Sequence, residues 1–399
     1  MEEIINNGGI VTKIFAKTIE NEALNQITEL CNNEAYKNNK IRIMPDVHAG
    51  KGCTIGTTIQ LIDKVTPNLV GVDINCGILV IELGNIDLDL KYVDEIINKF
   101  VPCGFNIHDN PLFDFSDKLS ELYCYAVIDK DMANKSIGTL GSGNHFIEID
   151  VDDDNNKYLV IHSGSRNLGV RVCKYYQDLA IKSMSDKSTL VKDTINKLKE
   201  EGKFDEIQKA LAKIPKTHIN KDLAYLEGEN YYNYLHDMSI VGLYANLNRK
   251  FIAKIILDKL GLSLQDYSFP MFETLHNYIN INNKILRKGA VSAQLGERLI
   301  IPMNMRDGSL ICIGKGNADW NYSAPHGAGR LMSRTKAKES IEMVDYKDTM
   351  EGIYSTSITP STIDEAPQAY KPMEEIIECI KDTVEIEKII KPIYNFKAK

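Results

Sequence analysis

Asn321-Tyr-Ser-Ala-Pro-His326-Gly-Ala-Gly-Arg330 places one imidazole between a proline and a glycine-rich turn. Gly327 and Gly329 carry no side chain, so a bulky anion can approach the backbone closely there. Arg330 can hold such an anion in a bidentate grip. A histidine presented in this way is a candidate nucleophile or proton carrier. An isolated histidine in a turn is more often a buried structural residue. In this chain, however, four other histidines also lie beside turn-forming residues such as Gly, Pro and Asn.

The composition describes an ordinary globular protein, since 43% of the 399 residues are hydrophobic and 26% are charged. No apolar run approaches the length that spans a membrane, and the Met1–Ile5 segment has no basic region typical of secretion signals. The sequence therefore predicts a cytoplasmic protein with no membrane partner. The eight cysteines are scattered without a CxxC pair, which favours reduced thiols and makes any special cysteine a ligand or a nucleophile.

The net charge of −8 argues weakly against bulk binding of nucleic acid, but the charge is unevenly distributed. Residues 284–339 contain ten Lys and Arg against four Asp and Glu, a local excess of six positive charges around His326. Such a segment is compatible equally with a solvated surface and with a landing strip for a polyanion.

The order of patterns along the chain indicates an α+β fold in one large domain, 1–399, with a helical insertion at about 171–275. Short apolar runs at 77–83 and 158–162 are typical of strands. Apolar residues at three-to-four spacing over 240–260 predict an amphipathic helix, and the charged stretch 192–213 predicts an exposed helical arm. Strands and turns are expected over 285–325, a short helix over 373–380 and a terminal strand over 383–397.

Five histidines and one Asp/Cys pair lie in short turns rich in glycine. The segments are Pro45-Asp46-Val-His48-Ala-Gly50, Gly71-Val-Asp73-Ile-Asn-Cys76-Gly77, Gly141-Ser-Gly-Asn144-His145, His162-Ser-Gly-Ser-Arg166, Thr274-Leu-His276-Asn277 and Pro325-His326-Gly327. Loop ends positioned by a rigid scaffold are common places for metal ligands. One carboxylate, one thiolate and several imidazoles suit Mn²⁺, Zn²⁺, Co²⁺ or Ni²⁺, and a thiolate can bridge two ions.

Two of these loops, Gly141-Ser-Gly and Ser163-Gly-Ser-Arg166, can form anion nests from backbone N–H groups, while no P-loop or G-x-G-x-x-G motif is present. Two metal ions a few ångströms apart commonly stabilise phosphoryl transfer. The residues alone therefore predict metal-dependent phosphoryl or nucleotidyl transfer with a covalent histidine intermediate.

The same motifs, with Arg287-Lys-Gly-Ala290 and His326-Gly-Ala-Gly-Arg330, resemble in family order the RtcB family of RNA ligases. The resemblance runs from about residue 44 to 330 and implies a single large domain with mixed sheets around a central metal cleft. Where many members carry a Gly-Ser-Met-Gly-Thr-like loop, this chain has Pro302-Met-Asn-Met-Arg-Asp-Gly-Ser309 and then Gly314-Lys-Gly-Asn-Ala-Asp-Trp320. This departure is typical of a divergent bacterial paralogue branch.

The resemblance implies an enzyme that uses GTP and Mn²⁺ to join RNA ends bearing a 2′,3′-cyclic phosphate or 3′-phosphate to 5′-hydroxyl ends, in RNA repair or tRNA splicing. His326 would form a guanylyl-histidine, oriented by Asp46, and an RNA 3′-pp-G intermediate would follow. One ion would take Asp73, Cys76 and His145, and the other Cys76, His162 and His276, with Zn²⁺ or Co²⁺ as substitutes in vitro.

The remaining residue roles also follow from the resemblance. Nucleotide-binding positions would be Asn144, Glu148, Asn277, His326, Gly327, Gly329 and Lys397, of which Glu148 and Lys397 would contact guanine. Arg166 and Arg330 would hold RNA or nucleotide phosphate. The alternatives are an enzyme that guanylylates or dephosphorylates RNA 3′ ends without joining them, and a non-catalytic RNA-binding subunit. The physiological RNA, the oligomeric state and any need for an accessory activator protein stay open.

Overall fold

The computed structural model of the chain describes residues 2–5, 9–185, 188–213, 220–264 and 267–398. The strands within these ranges are β1 Glu2–Ile5, β2 Val11–Ile14, β3 Lys40–His48, β4 Ile55–Gln60, β5 Lys64–Val65, β6 Gly77–Gly84, β7 Phe146–Val151, β8 Lys157–Ser163, β9 Leu226–Glu227, β10 Met271–Leu275, β11 Tyr278–Asn280, β12 Ile285–Lys288, β13 Ala290–Ser292, β14 Arg298–Asn304, β15 Gly308–Gly314, β16 Ser323–Pro325 and β17 Val384–Lys397. The helices are α1 Asn21–Cys31, α2 Leu90–Phe100, α3 Ser116–Ser120, α4 Lys130–Ser136, α5 Arg166–Ser185, α6 Ser188–Glu200, α7 Ile207–Lys213, α8 Glu229–Lys259, α9 Arg334–Ser340, α10 Met343–Thr349 and α11 Met373–Cys379.

A seven-stranded sheet in the order β10-β6-β8-β7-β17-β15-β14 forms the centre of the fold. Its two edge strands meet, because the backbone N–H of Ile300 on β14 donates to Oγ1 of Thr274 on β10 at 3.0 Å. The sheet therefore curls around an apolar interior that includes Ile78, Val80 and Phe146. The alternating residues Leu79 and Ile81 of β6 face outward against α2 and α8. Because both faces of β6 are covered, its sequence is almost continuously apolar.

A six-stranded sheet in the order β1-β2-β3-β4-β12-β11 lies beside the first sheet. Its apolar face packs with α1, α5 and the first half of α8 in a second core, to which Ile27, Ile43, Ile59 and Tyr234 belong. Helix α8 thus contributes to both cores, Tyr234 to this one and Ile256 to the other. Short strands β13 and β16 pair with each other and place His326 directly after the end of β16.

The predicted α+β class is confirmed, and so are the predicted strands at 77–83 and 158–162, the amphipathic helix at 240–260, the short helix at 373–380 and the terminal strand. The segment expected to be helical, 171–275, also contains β9 and β10. Strand β10 is only five residues long and pairs with β6, so it was too short to be distinguished from a helix end by periodicity. That this segment is an insertion stays a prediction. Across the ranges given above, no helix is both long and apolar enough to cross a bilayer.

Candidate metal centre and its cleft

Three strand ends bring the cluster of candidate ligands together. Cys76 precedes β6, His145 precedes β7 and His162 lies near the end of β8, and the antiparallel register pairs Ile78 and Phe146 with His162. The Sγ of Cys76 lies 3.2 Å from Nε2 of His162 and 3.4 Å from Nε2 of His145. All three side chains are buried, and their ligand atoms lie within 4.8 Å of one another.

The other two predicted ligands, Asp73 and His276, adjoin this cluster. Oδ2 of Asp73 lies 2.9 Å from Nε2 of His145, and Nε2 of His276 lies 3.4 Å from Nε2 of His162. The Nδ1–H of His145 donates to the carbonyl of Leu140 at 2.8 Å, so its Nε2 carries the lone pair that faces the cluster. Mixed thiol, imidazole and carboxylate donors converging in this way fit a borderline divalent ion.

Burial shifts the pKa values of His162, His276 and Cys76 in the direction that favours their neutral forms. Burial lowers the pKa of His162 and that of His276 well below their usual value, and neighbouring histidines lower them further. Burial also raises the pKa of Cys76, and Asp73 raises it further. Burial thus disfavours both imidazolium and thiolate, and a divalent ion among these atoms would reverse the preference of the thiol.

Two residues of α8 hold the ligand loops in place, and the sequence reading missed both. The fully buried Arg249 donates from Nη1 to the carbonyls of Asn75 and Ser163 at 3.0 and 2.8 Å, and from Nε to Oε1 of Glu273 at 2.8 Å. The Nδ2 of Asn248 donates to Oγ of Ser163 at 3.0 Å. Helix α8 therefore ties the Asp73–Cys76 loop to the end of β8. In the sequence, the polar pair Asn248-Arg249 within an apolar stripe of helical spacing was the signal that could have indicated this role.

His326 is held by a buried carboxylate. Oδ2 of Asp46 accepts the Nδ1–H of His326 at 2.6 Å and its backbone N–H at 3.1 Å. Asp46 is completely buried on β3, and the His326 ring centroid lies 4.9 Å from that of His276. Gly329 has φ +76°, and a Cβ there would lie 2.5 Å from the carbonyl oxygen of Asp46. Only glycine allows this approach, and the arrangement leaves Nε2 of His326 for a reacting group.

A single cleft extends from His326 to the end of the chain. Eight residues predicted from the sequence line it: Asn144, Glu148, His162, His326, Gly327, Gly329, Arg330 and Lys397. His48 also lines it and donates from Nδ1 to the carbonyl of Asp46 at 2.9 Å. Met303, on β14, and Met305, in the turn that follows it, belong to the divergent segment and form part of the wall.

The far end of the cleft contains a carboxylate that the sequence reading missed. Oε2 of the buried Glu365 lies 2.9 Å from Nζ of Lys397, and Oε1 lies 2.7 Å from Nη1 of Arg334 and 3.5 Å from Nη1 of Arg330. Tyr370 donates its hydroxyl to Glu365 at 2.7 Å. Arg330, Arg334 and Lys397 lie more than 30 residues from Glu365 in the sequence, and Tyr370 lies in a separate turn. No local motif therefore indicates this group of residues.

Asn277 and Arg166 lie outside this cleft lining and make internal hydrogen bonds. Asn277 donates from Nδ2 to the carbonyl of Asp73 at 3.4 Å and accepts from the backbone N–H of Gly289 at 2.8 Å. Arg166 donates from Nε to Oγ1 of Thr139 at 3.0 Å and from Nη2 to the carbonyl of Gly104 at 3.1 Å. The proposed phosphate contacts of both residues stay predictions.

The basic segment 284–339 is mostly neutralised or buried, so the landing-strip reading is not supported. Arg287 and Lys288 are buried. Arg298 pairs with Glu82 and Glu387, and Arg330 and Arg334 pair with carboxylates at 364–365. Trp320 is buried against Phe15 with ring centroids 3.7 Å apart, so its ring is not available to stack on a base. His218, which belongs to none of the histidine motifs described above, lies outside the ranges that the structure describes.

Fold and site define a class of protein: a candidate metalloprotein in which the ligands of a cation lie beside a histidine held by a carboxylate. A family model described as tRNA-splicing ligase RtcB matches residues 26–123 and 120–398. The chain is 32% identical to the RNA-splicing ligase RtcB of Escherichia coli strain K12, over 87% of each chain. It is 25% identical to the tRNA-splicing ligase RtcB of Aeropyrum pernix, over 84% of this chain and 83% of that protein. An RNA-splicing ligase RtcB homolog of Entamoeba dispar is 27% identical, over 89% and 78%. The chain belongs to the RtcB family.

Proposed function

We propose that this protein is a GTP- and Mn²⁺-dependent RNA ligase. It would join RNA ends bearing a 2′,3′-cyclic phosphate or a 3′-phosphate to 5′-hydroxyl ends. The observation that carries the proposal is the Asp46–His326 pair, at 2.6 Å, beside the buried thiol and imidazole cluster. The relatives are named RNA-splicing and tRNA-splicing ligases, and these names support the same class of reaction.

The cluster would hold two ions that share Cys76. Asp73 and His145 would complete one set of ligands, and His162 and His276 the other; these atoms meet within hydrogen-bonding distances of one another. Bound there, such ions supply Lewis-acid stabilisation of negative charge on phosphoryl oxygens. Mn²⁺ is the proposed ion, and Zn²⁺ or Co²⁺ would occupy the same donors in vitro.

His326 would be the nucleophile. Its Nε2 attacks the α-phosphorus of GTP, the bond to the bridging oxygen breaks, and pyrophosphate leaves. Asp46 keeps the Nδ1 proton in place and stabilises the positive charge that develops on the ring. A 2′,3′-cyclic phosphate end is first opened by water, which breaks the bond from phosphorus to O2′ and leaves a 3′-phosphate. An oxygen of the RNA 3′-phosphate then displaces His326 from the GMP group, giving RNA 3′-pp-G. The 5′-hydroxyl of the second RNA finally displaces GMP and forms the phosphodiester.

The far end of the cleft would bind the base. Glu148 would contact the guanine edge through its side-chain oxygens, and Lys397, which caps the same cleft, would contact guanine from the other side. The backbone at Gly327 and Gly329, with Asn144 and Asn277, would contact nucleotide phosphates. Arg330 and Arg166 would hold nucleotide or RNA phosphate.

Covalent labelling tests the nucleophile directly. Incubation with Mn²⁺ and α-labelled GTP should give a protein adduct that is labile in acid and stable in alkali, and His326→Ala should give none. His108→Gln is the matched control, since His108 lies outside the cleft and its Nε2 contacts only the carbonyl of Gly138 at 3.2 Å. Failure of the wild-type protein to form an adduct would exclude this mechanism.

A joining assay separates the ligase from an enzyme that only modifies RNA ends. A strand with a 2′,3′-cyclic phosphate and a strand with a 5′-hydroxyl should give one joined product in the presence of GTP and Mn²⁺. Guanylylation without joined product would favour the end-modifying enzyme instead. RNA binding without any adduct would favour a non-catalytic subunit.

A further inference from the structure

The exposed face of α5 carries basic residues that have no carboxylate partner. Arg171 and Lys174 are exposed on this face, together with Asn167 and Val170. Arg171 donates from Nε to Oδ1 of Asn167 at 3.3 Å, and within the described part of the chain neither cation forms an ion pair. Asp178 ends the basic face, one turn beyond Lys174.

Two lysines from other segments lie beside this face. Gln177 of α5 donates from Nε2 to the carbonyl of Lys221 at 2.8 Å and accepts from the backbone N–H of Asn68 at 3.0 Å. The Nζ of Lys288 bonds to the carbonyls of Asn68 and Lys51, which fixes the Lys51 loop against the same region. Lys51 and Lys221 are exposed, and they too lack ion pairs among the residues whose positions are given.

This basic surface begins at the metal centre. The residue before α5, Ser165, donates its backbone N–H to Oδ1 of Asp73 at 2.8 Å. At about 1.5 Å of rise per residue, Lys174 lies about 12 Å along the helix from Arg166. Successive nucleotides of a strand in a duplex are about 3.4 Å apart along the axis, so the surface can contact more than one phosphate of a strand that enters the cleft.

An aromatic side chain stands at the start of the same helix. The carbonyl of Gly104 accepts from Nη2 of Arg166 at 3.1 Å, and its N–H donates to the carbonyl of Gly141 at 2.7 Å. The next residue, Phe105, is fully exposed. A solvated phenyl ring beside a cationic track is the arrangement by which proteins stack bases of single-stranded nucleic acid.

We propose that the exposed face of α5, with Lys51 and Lys221 beside it and Phe105 at its start, binds the single-stranded RNA that leads into the metal centre. The lysines and Arg171 contact phosphates, and Phe105 stacks on a base near the reacting end. This proposal rests on the proposed function for its ligand. The segment 284–339 is richer in basic residues, but Arg298 and Arg334 are paired with the protein's own carboxylates and others are buried. Arg171 and Lys174 of α5, by contrast, form no ion pair with any residue that the structure describes.

Salt-dependent RNA binding tests the charged part. A single-stranded RNA with a 2′,3′-cyclic phosphate end is titrated by fluorescence anisotropy with the full chain and with Lys51→Gln/Arg171→Gln/Lys174→Gln. The triple variant should bind about tenfold or more weakly at low salt, and the slope of log K against log salt should decrease by about 2, since each lost phosphate contact contributes about 0.7. Formation of the GTP adduct on His326, which needs no RNA, should stay unchanged.

The matched control removes three charges that are already paired: Lys17→Gln/Lys118→Gln/Lys254→Gln, whose partners are Glu378, Glu121 and Asp258. It should leave affinity and slope close to those of the unmodified chain. An equal loss in both triple variants, or no loss in the α5 variant, overturns the proposal. Because binding is measured without turnover, absence of the GTP adduct in every protein would reject the proposed function and leave this test intact.

Phe105→Ala tests the stacking part, and Phe204→Ala, which removes another exposed phenyl ring, is its control. Phe105→Ala should weaken binding of single-stranded RNA about fivefold or more with an unchanged salt slope. It should leave binding of duplex RNA unchanged, because the bases of a duplex are not free to stack. Equal affinities of both alanine variants for the single strand overturn the assignment of Phe105.

Discussion

Two buried carboxyl pairs of the same molecule behave in opposite ways. Glu148 and Asp150 lie on β7 in the interior of the curled sheet, and Glu365 and Asp364 lie in the turn Pro360–Glu365 on the other side of the cleft. Burial raises the pKa of Glu148 to about 7, although Lys397 and Asn395 oppose the shift. At Glu365 burial acts in the same direction, but Lys397 and Arg334 outweigh it and lower the pKa to about 2.

The difference shows that burial alone does not decide whether a carboxyl group is ionised. Both oxygens of Asp150 lack a hydrogen-bond partner among the residues that the structure describes, and burial followed by the charge of Glu148 raises the pKa of Asp150 well above its usual value. Near Glu365 the protein supplies three cations. In the sheet interior burial shifts Glu148 and Asp150 towards their neutral forms, whereas in the segment Pro360–Glu365 the neighbouring cations keep Glu365 ionised.

The largest expected effect comes from Glu365→Gln, which removes the carboxylate charge that Lys397, Arg334 and Arg330 stabilise. Because the folded-state pKa of Glu365 lies below its unfolded value near 4.5, ionised Glu365 stabilises the fold above pH 4.5, and this is lost as the pH falls towards 2. The variant should lose about 3 kcal/mol of unfolding free energy at pH 7. Urea denaturation should show the gap between the two proteins closing below about pH 4.5. A gap that widens in acid would contradict the comparison.

Glu148→Gln should show the reverse dependence on pH. The folded-state pKa near 7 exceeds the unfolded value near 4.5, so the folded protein retains the proton of Glu148 and is at its most stable, as far as this group is concerned, below pH 4.5. Relative to the variant, the wild-type protein should lose about 3 kcal/mol as the pH rises from 4.5 to 8. The measurement is the difference in unfolding free energy at pH 5 and pH 8. A difference independent of pH would mean that Glu148 ionises normally.

The segments that contain Cys76, His145 and His162 could be recognised from the sequence, because each is a short turn whose chemistry is visible locally. The grouping of these residues and the pairing of His326 with Asp46 followed from the resemblance to the RtcB family, and the structure places both sets of side chains in contact. Cys76 and His145 are in contact because β6 and β7 begin where β8 ends, and this register cannot be read from the α+β pattern of the sequence. Arg249 and Glu365 could not be predicted in the same way. Each acts through partners distant in sequence, as when Arg249 bonds to Asn75 and Ser163.

Charge counting failed for a related reason. The excess of positive charge was counted over residues 284–339 alone. The carboxylates that pair with Arg298 and Arg334 lie outside this range, at Glu82, Glu387, Asp364 and Glu365. The α5 face has fewer cations and gave no signal in the composition. What distinguishes the two regions is whether a partner is present in three dimensions, and a sum over sequence does not contain that information.

Asp364→Asn should have a smaller effect than Glu365→Gln. Asp364 pairs with Arg334 at 2.6 Å and with Lys338 at 3.6 Å, and the side chains of these cations are 46% and 54% exposed. Arg334 also keeps its contact with Glu365 at 2.7 Å. A loss of about 1 kcal/mol is expected at pH 7, decreasing in high salt because exposed charges are screened. A loss as large as that of Glu365→Gln would mean that the two carboxylates act as one unit.

The smallest effect is expected for Asp150→Asn, although Asp150 is the most deeply buried of the four groups. Burial and the charge of Glu148 raise the pKa of Asp150 and favour its neutral form, and asparagine is a neutral polar group of nearly the same shape as that form. At any pH between 5 and 7, the unfolding free energies of the variant and the wild-type protein should differ by less than about 1 kcal/mol. A loss of about 3 kcal/mol would show that Asp150 is ionised and paired. Asp150 would then require a neighbouring positive charge in the sheet interior, as Glu365 does in Pro360–Glu365. The difference between the two buried carboxyl pairs would disappear.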